Sequence, residues 1–138
     1  MTSLTPINTI DRFGKNRTFK YKRESTTRKH LFRVYADPPL QSGDFFDFEV
    51  EAVDNAETAF KIVMMNHYLV EEYSGAGVPD AMIPEISRVL GKCVVSSSNK
   101  SRTPGEYRTA KATKVWDRLV VKGVATYDEA TDSYECCA

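Results

Sequence analysis

Residues 54–77, DNAETAFKIVMMNHYLVEEYSGAG, decide how this chain is put together. Asp54 can cap a helix, and Glu57, three residues on, can reach back to it in a variant of the capping box. Ala59, Ile62, Met65, Leu69 and Tyr73 fall on one stripe at helical spacing, and Phe60, Val63 and Val70 widen it. So broad an apolar arc predicts a helix over about 55–73, largely buried against a sheet. Ser74 to Gly77 supplies its stop.

The flanking segments are then read around that helix. Upstream, KHLFRVYADPP reads as a strand closed by Pro38 and Pro39. After a turn at QSGD, the stretch FFDFEVEAV alternates: Phe46, Phe48, Val50 and Ala52 point one way, Asp47, Glu49 and Glu51 the other. This predicts a half-buried strand with an acidic outer face. Residues 1–30 read as a polar, basic arm punctuated by Phe13, Phe19 and Tyr21. Downstream, Pro84 suits a first helical turn, Ile83, Ile86 and Leu90 share a face, and Gly91 ends a short helix over 84–90. Thr103, Pro104 and Glu106 are three start signals together, predicting a helix over 104–122 that stops at Gly123. Residues 124–137 form a hairpin turning at DEATD. The expected class is α+β: an N-terminal β-hairpin plus helix (31–77) behind the arm (1–30), joined to a C-terminal unit (78–138), with 31–138 sharing one core.

A chain of 138 residues with 41% hydrophobic content suits a single folded domain. No apolar run approaches the ~20 residues of a membrane span. The N-terminus lacks the hydrophobic centre of a signal peptide, which points to a cytoplasmic protein. Cys93, Cys136 and Cys137 are odd in number and two are adjacent, which predicts reduced thiols rather than a disulfide framework. Net charge is zero, yet it is segregated. Residues 1–30 carry eight Lys/Arg against two acids, and 31–80 carry two against ten. Residues 81–118 carry eight against three, and the last twenty carry one against four. Such blocks can present surfaces of opposite sign, or interleave on folding.

The stretch VWDRLVVKGVATYDEATDSYEC (Val115 to Cys136) resembles the winged helix-turn-helix domains of DNA-binding regulators. Leu119, Lys122, Gly123, Val124 and Tyr127 match the end of a recognition helix and the opening of a wing, with Asp128 to Asp132 at the wing tip. The resemblance covers residues 84–137 and implies a winged-helix C-terminal half, regulatory DNA binding in transcription, and a homodimer. One departure stands out. Eleven residues, Lys92 to Arg102, replace the 3–4-residue turn that joins the last two helices of such domains.

The basic helix provides an independent argument. At 100° per residue, Arg108, Lys111, Lys114, Arg118 and Lys122 fall within roughly 120° of arc. None has an acid at i±4 on that face, and five like charges repel unless an anion relieves them. Phosphates would, with steep salt dependence. Lys100 and Arg102 extend the patch, and Arg17, Lys20, Lys22 and Arg23 in the arm, interleaved with aromatic residues, suit phosphate contact and base stacking. The competing readings are a basic face answered by Asp47, Glu49 and Glu51 within the fold, or those acids engaging a basic partner protein. No phosphate loop, metal-ligand spacing or nucleophile motif occurs, so neither a cofactor nor catalysis is expected.

Overall fold

The computed structural model describes residues 3–68, 70, 73–101, 104 and 106–138. Eight strands form one sheet: β1 (Thr5–Ile10), β2 (Asn16–Thr26), β3 (Lys29–Ala36), β4 (Phe46–Ala52), β5 (Ala59–Asn66), β6 (Cys93–Val95), β7 (Thr126–Asp128) and β8 (Ser133–Cys136). Two helices, α1 (Val78–Leu90) and α2 (Ala110–Val121), complete the described elements. The order across the sheet is β1-β2-β3-β4-β5-β6-β8-β7. β1 to β5 run as an antiparallel meander. β6 lies parallel to β5, which demands a crossover, and α1 is that crossover. The α+β class is therefore observed.

Where the sequence reading expected a helix, Ala59–Asn66 is a strand. Asp54 does act as a cap, accepting from Thr58 N (3.0 Å) and Thr58 Oγ1 (2.6 Å), but Glu57 takes a left-handed conformation (φ 54°) and turns the chain into β5. Strand periodicity then takes over. Phe60 and Ile62 are buried opposite Ala52 and Val50, and a bulge at Val63 resets the register to Met64 and Met65. The wide apolar arc that imitated a buried helix is the near-continuous hydrophobic run of a central strand.

The basic arm is likewise corrected. Residues 5–26 are β1 and β2, joined by a tight turn in which Asp11 Oδ1 accepts from Phe13 N and Lys15 N, both at 2.9 Å. Phe19 and Tyr21, read as arm aromatics, belong to the core. On β4 Phe46, Phe48, Val50 and Ala52 are buried as expected, but Asp47 between them is buried too, so the expected acidic outer face is reduced to Glu49 and Glu51.

Helix α1 is longer than 84–90. It begins at Val78 after Gly77, whose φ is 81°, and Pro84 falls inside it; Gly91 ends it (φ 65°). α2 starts at Ala110 rather than 104. Thr109 is its cap, accepting from Ala112 N, because Glu106 is spent on Lys61 Nζ (2.8 and 3.0 Å) and Ser98 N (3.2 Å). The expected cap at Thr103 lies outside the described residues. The hairpin β7–β8 exists, but β8 pairs with β6, so it forms the far edge of the main sheet rather than a separate wing.

The cysteine reading is overturned for two of the three. Antiparallel pairing sets Val94 against Cys136, bringing Cys93 and Cys137 to a Cα separation of 4.2 Å, and they are joined as a disulfide; Cys136 is free and buried. No helix of the described residues is long and apolar enough to cross a membrane.

One face of the sheet carries Phe19, Phe32, Phe48, Phe60 and Val94, and these merge with Met82, Ile83 and Ile86 of α1 and Trp116 and Leu119 of α2 in a single apolar core. Burying each such side chain contributes on the order of 1.5–3 kcal/mol. Tyr21 Oη donates to Glu85 Oε2 of α1 at 2.5 Å, confirming that α1 covers this face. Burial, then the Glu85 carboxylate, raises the Tyr21 phenol to about 12.

Candidate functional site

β5 and β6 pair over only three residues each, Ala59–Lys61 with Cys93–Val95. β5 then continues to Asn66 while the chain after β6 leaves it, tied back by Ser97 Oγ donating to Ile62 O at 3.3 Å and by Lys61 Nζ donating to Glu106. Beyond that point β5 keeps β4 on one side and, among the described residues, has no strand on the other. The parting strands open a groove of about 980 Å³, bounded by Ile62 to Asn66 of β5 with His67 beyond it, the leading turn of α1, Ser97, and residues between Glu106 and Arg118. An unpaired strand edge offers backbone donors and acceptors to an extended guest.

The end wall at α1 is built by close approach. Arg12 N donates to Gly75 O (2.9 Å) and Thr9 Oγ1 donates to Ala76 O (2.7 Å), so the β1–β2 hairpin holds the Gly75–Gly77 loop from behind. The helix has no side-chain cap and Pro79 in its first turn has no N–H to offer. Asp80 follows, and its carboxylate receives Arg118 Nε (2.8 Å) and Nη2 (2.7 Å), with Lys122 Nζ at 3.8 Å. A carboxylate of the chain itself thus sits where the helix dipole would favour an anion. The Asp80 hydrogen bonds raise the Arg118 pKa.

The opposite wall rests on a buried polar knot. Arg108, 9% exposed, donates to Thr113 Oγ1, Ser97 O, Asp132 O and Asp132 Oδ1, all at 2.8–2.9 Å, and lies over the Tyr134 ring. Asp132 also accepts from Tyr127 Oη (2.7 Å) and Asn99 N (2.8 Å). The Arg108 guanidinium, then the Tyr127 hydroxyl, hold the Asp132 carboxyl down at about 2. Tyr134 donates to Asp117 and stacks on Trp116 (5.7 Å); burial, then Asp117, pushes its phenol up to about 12. Trp116 lines the groove, is fully buried, and its Nε1–H has no hydrogen-bond partner among the described residues. An orphaned buried donor costs about 1–3 kcal/mol.

The five-cation stripe of the sequence reading is therefore divided. Arg108 precedes α2 and is consumed by the knot; Arg118 and Lys122 face Asp80. Lys111 and Lys114 remain, exposed at the groove and without an ion pair to any described carboxylate. Lys100 Nζ donates to Glu129 O at 2.9 Å, and Arg102 lies outside the described residues. Arg17, Lys20 and Lys22 sit on β2 within 3.7, 3.7 and 3.2 Å of Asp11, Asp37 and Glu24. Arg23 is on β2 opposite Phe32, on the other side of the strand from Lys20 and Lys22. These four do not join the α2 cations in one patch.

The acidic strand is also partly spent. Asp47 is 1% exposed, gripped by Arg33 Nε (2.8 Å) and Nη2 (3.0 Å) and by Tyr68 Oη (2.6 Å). It cannot present itself to a basic partner. Glu49 faces Lys29 at 3.9 Å. Sequence reasoning missed the groove's own parts Lys61, Gly75, Gly77 and Trp116, and the role of Asp132 behind its wall. Only the paired glycines before α1 carried a signal, and it was read as a helix stop.

Around the groove, six cationic side chains (Arg28, Lys61, Arg108, Lys111, Lys114, Arg118) stand against Glu51, Asp80 and Glu106 among the described residues. Its floor is apolar, with Phe46, Met65, Val115 and Trp116. The fold and site define an α+β protein with a ligand-sized groove at a strand divergence. Compared with protein families, curated proteins and solved structures, the chain has no match.

Proposed function

We propose that this protein binds an extended, amide-bearing small molecule with an anionic end, of the phosphopantetheine or coenzyme A kind. The observation that carries the reading is the parting of β5 from β6, which leaves residues 62–66 of β5 as an open edge inside a groove of about 980 Å³. Amides spaced along a flexible arm can take up that edge as a strand would, and volumes of 300–1,000 Å³ are those of small-molecule sites. Phosphates would meet Lys111 and Lys114, since Asp80 and Pro79 disfavour an anion at the start of α1.

Calorimetric titration tests this with coenzyme A and with uncharged pantetheine. Coenzyme A is expected to bind the more tightly, and Lys111→Glu with Lys114→Glu should remove about tenfold or more of its affinity while leaving pantetheine unchanged. Trp116 is the chain's sole tryptophan, so its emission reports occupancy directly. No heat and no change in emission with millimolar coenzyme A would end the proposal.

A second reading has one observation in its favour. Lys111 and Lys114 on α2, exposed and in no ion pair with a described carboxylate, suit phosphate contacts to DNA, as the winged-helix resemblance implied. Mobility-shift titrations on labelled duplex at two salt concentrations separate the cases. Two phosphate contacts predict a log–log salt slope of only about −2, and the same double charge reversal should abolish the shift.

A further inference from the structure

We propose that Cys93, Cys137 and Glu135 form a surface site for a soft divalent cation such as zinc, closed while the two cysteines are joined and open once they are reduced. The three side chains lie on one face of the β6–β8 pair, and their ligand atoms all fall within 4.8 Å of one another. That placement follows from the register. Val95 stands opposite Glu135 and Val94 opposite Cys136, so Cys93 and Cys137 close the next position while Glu135 sits two residues before Cys137, on the same side of the strand. Thiolate and carboxylate ligands from three residues, with a fourth position left to water, make an open tetrahedral site that zinc accepts. The fold turns Cys136 inward, where it is 1% exposed, and sets the Glu135 carboxylate beside the other two cysteines.

The frame does not depend on the sulfur–sulfur bond. Ser87 of α1 is fully buried beneath it, donating from Oγ to Lys92 O (2.7 Å) and accepting from Ala138 N (3.0 Å). One hydroxyl therefore anchors the residue before Cys93 and the residue after Cys137. With the strand pairing, this keeps the two sulfurs together after reduction, so the metal need not order the chain to bind. Cys137 is exposed and within reach of a small thiol. Two thiols of such a reductant supply two electrons and two protons: the Cys93–Cys137 bond breaks, two protein thiols form, and the reductant departs as its own disulfide. Zinc then displaces one proton from each protein thiol and binds the two thiolates with the Glu135 carboxylate.

The test uses the full chain in both redox states, with zinc in competition with a chromophoric chelator and cadmium as a probe of thiolate absorption. The reduced protein is expected to take up one equivalent, and the oxidised protein none. Cys93→Ser or Cys137→Ser should weaken binding about 100-fold or more, and Glu135→Gln about tenfold, on the scale seen for altered zinc sites. Cys136→Ser should bind as the parent does. Bound zinc should also protect both thiols from re-oxidation by a disulfide reagent. Equal uptake by oxidised and reduced protein, which involves no substitution and no risk of misfolding, would overturn the proposal. So would undiminished affinity in Cys93→Ser.

Discussion

Asp132→Ala is expected to destabilise the protein by about 3–5 kcal/mol, measured by urea denaturation at neutral pH, because it strips the partner from a buried guanidinium. Arg108 and the Asp132 carboxylate meet at 2.9 Å with side chains 6% and 10% exposed. The surrounding donors are arranged for that charge: Tyr127 Oη and Asn99 N also point at the carboxylate. Alanine leaves all three unanswered, and the knot links the segment after β6, the start of α2 and the β7–β8 turn. Glu129→Ala, three residues away in the same turn, is the control. Its exposed side chain should cost no more than about 0.5 kcal/mol.

The pH dependence of the parent follows with a definite sign. The Asp132 carboxyl titrates at about 2 in the folded chain, below its ordinary 3.8. The ionised form therefore stabilises the fold in full above pH ~4, and the contribution fades as the pH falls towards 2. Its size is about 2 kcal/mol, from 1.36 kcal/mol for each pH unit of displacement. The gap between parent and Asp132→Ala should narrow by about 2 kcal/mol in acid, where the parent's carboxylate is protonated too, and the remainder is the packing and hydrogen bonding that the neutral side chain keeps. A gap that stays constant from pH 7 to pH 2 would contradict the assignment of the lowered carboxyl to Asp132.

What could be read in the chain beforehand was local. Alternation on 46–52, the stop at Gly91 and the hairpin at 126–136 depend on neighbours in sequence, and each is present. Residues 59–66 failed because a strand buried in mid-sheet and a buried helix have the same composition, and only the β4 and β6 partners decide between them. The basic stripe failed for a different reason. Helix geometry alone places Lys111, Lys114, Arg118 and Lys122 side by side, but Asp80 reaches Arg118 from 38 residues away and Asp132 reaches Arg108 from 24. Long-range ion pairs leave no trace in a helical wheel. The disulfide was hidden likewise: 44 residues separate Cys93 from Cys137, and only the sheet order brings them together. The groove arises where two strands stop pairing, and no single residue encodes that.

Gly77→Ala should be the most damaging change at the groove's edge, lowering the melting temperature by roughly 10 °C. A Cβ on Gly77 would stand 2.1 Å from the Ile10 carbonyl oxygen and 3.0 Å from its carbon, and both are backbone atoms that no rotamer can move. The residue also holds φ 81°, a left-handed conformation that costs an L side chain about 1–2 kcal/mol. Overpacking adds about 1–3 kcal/mol, and each 1 kcal/mol is worth a few degrees in a domain of this size. Relief requires the β1–β2 hairpin to back away, breaking Thr9 Oγ1 to Ala76 O and Arg12 N to Gly75 O. Gly91→Ala isolates the conformational part: its φ is 65°, but nothing lies within 4 Å of the added carbon, so it should lose only about 4 °C. Equal losses in the two variants would mean that the hairpin does not brace the Gly75–Gly77 loop. A larger loss at Gly77, joined to weakened coenzyme A binding that Gly91→Ala does not share, ties the same brace to the shape of the groove.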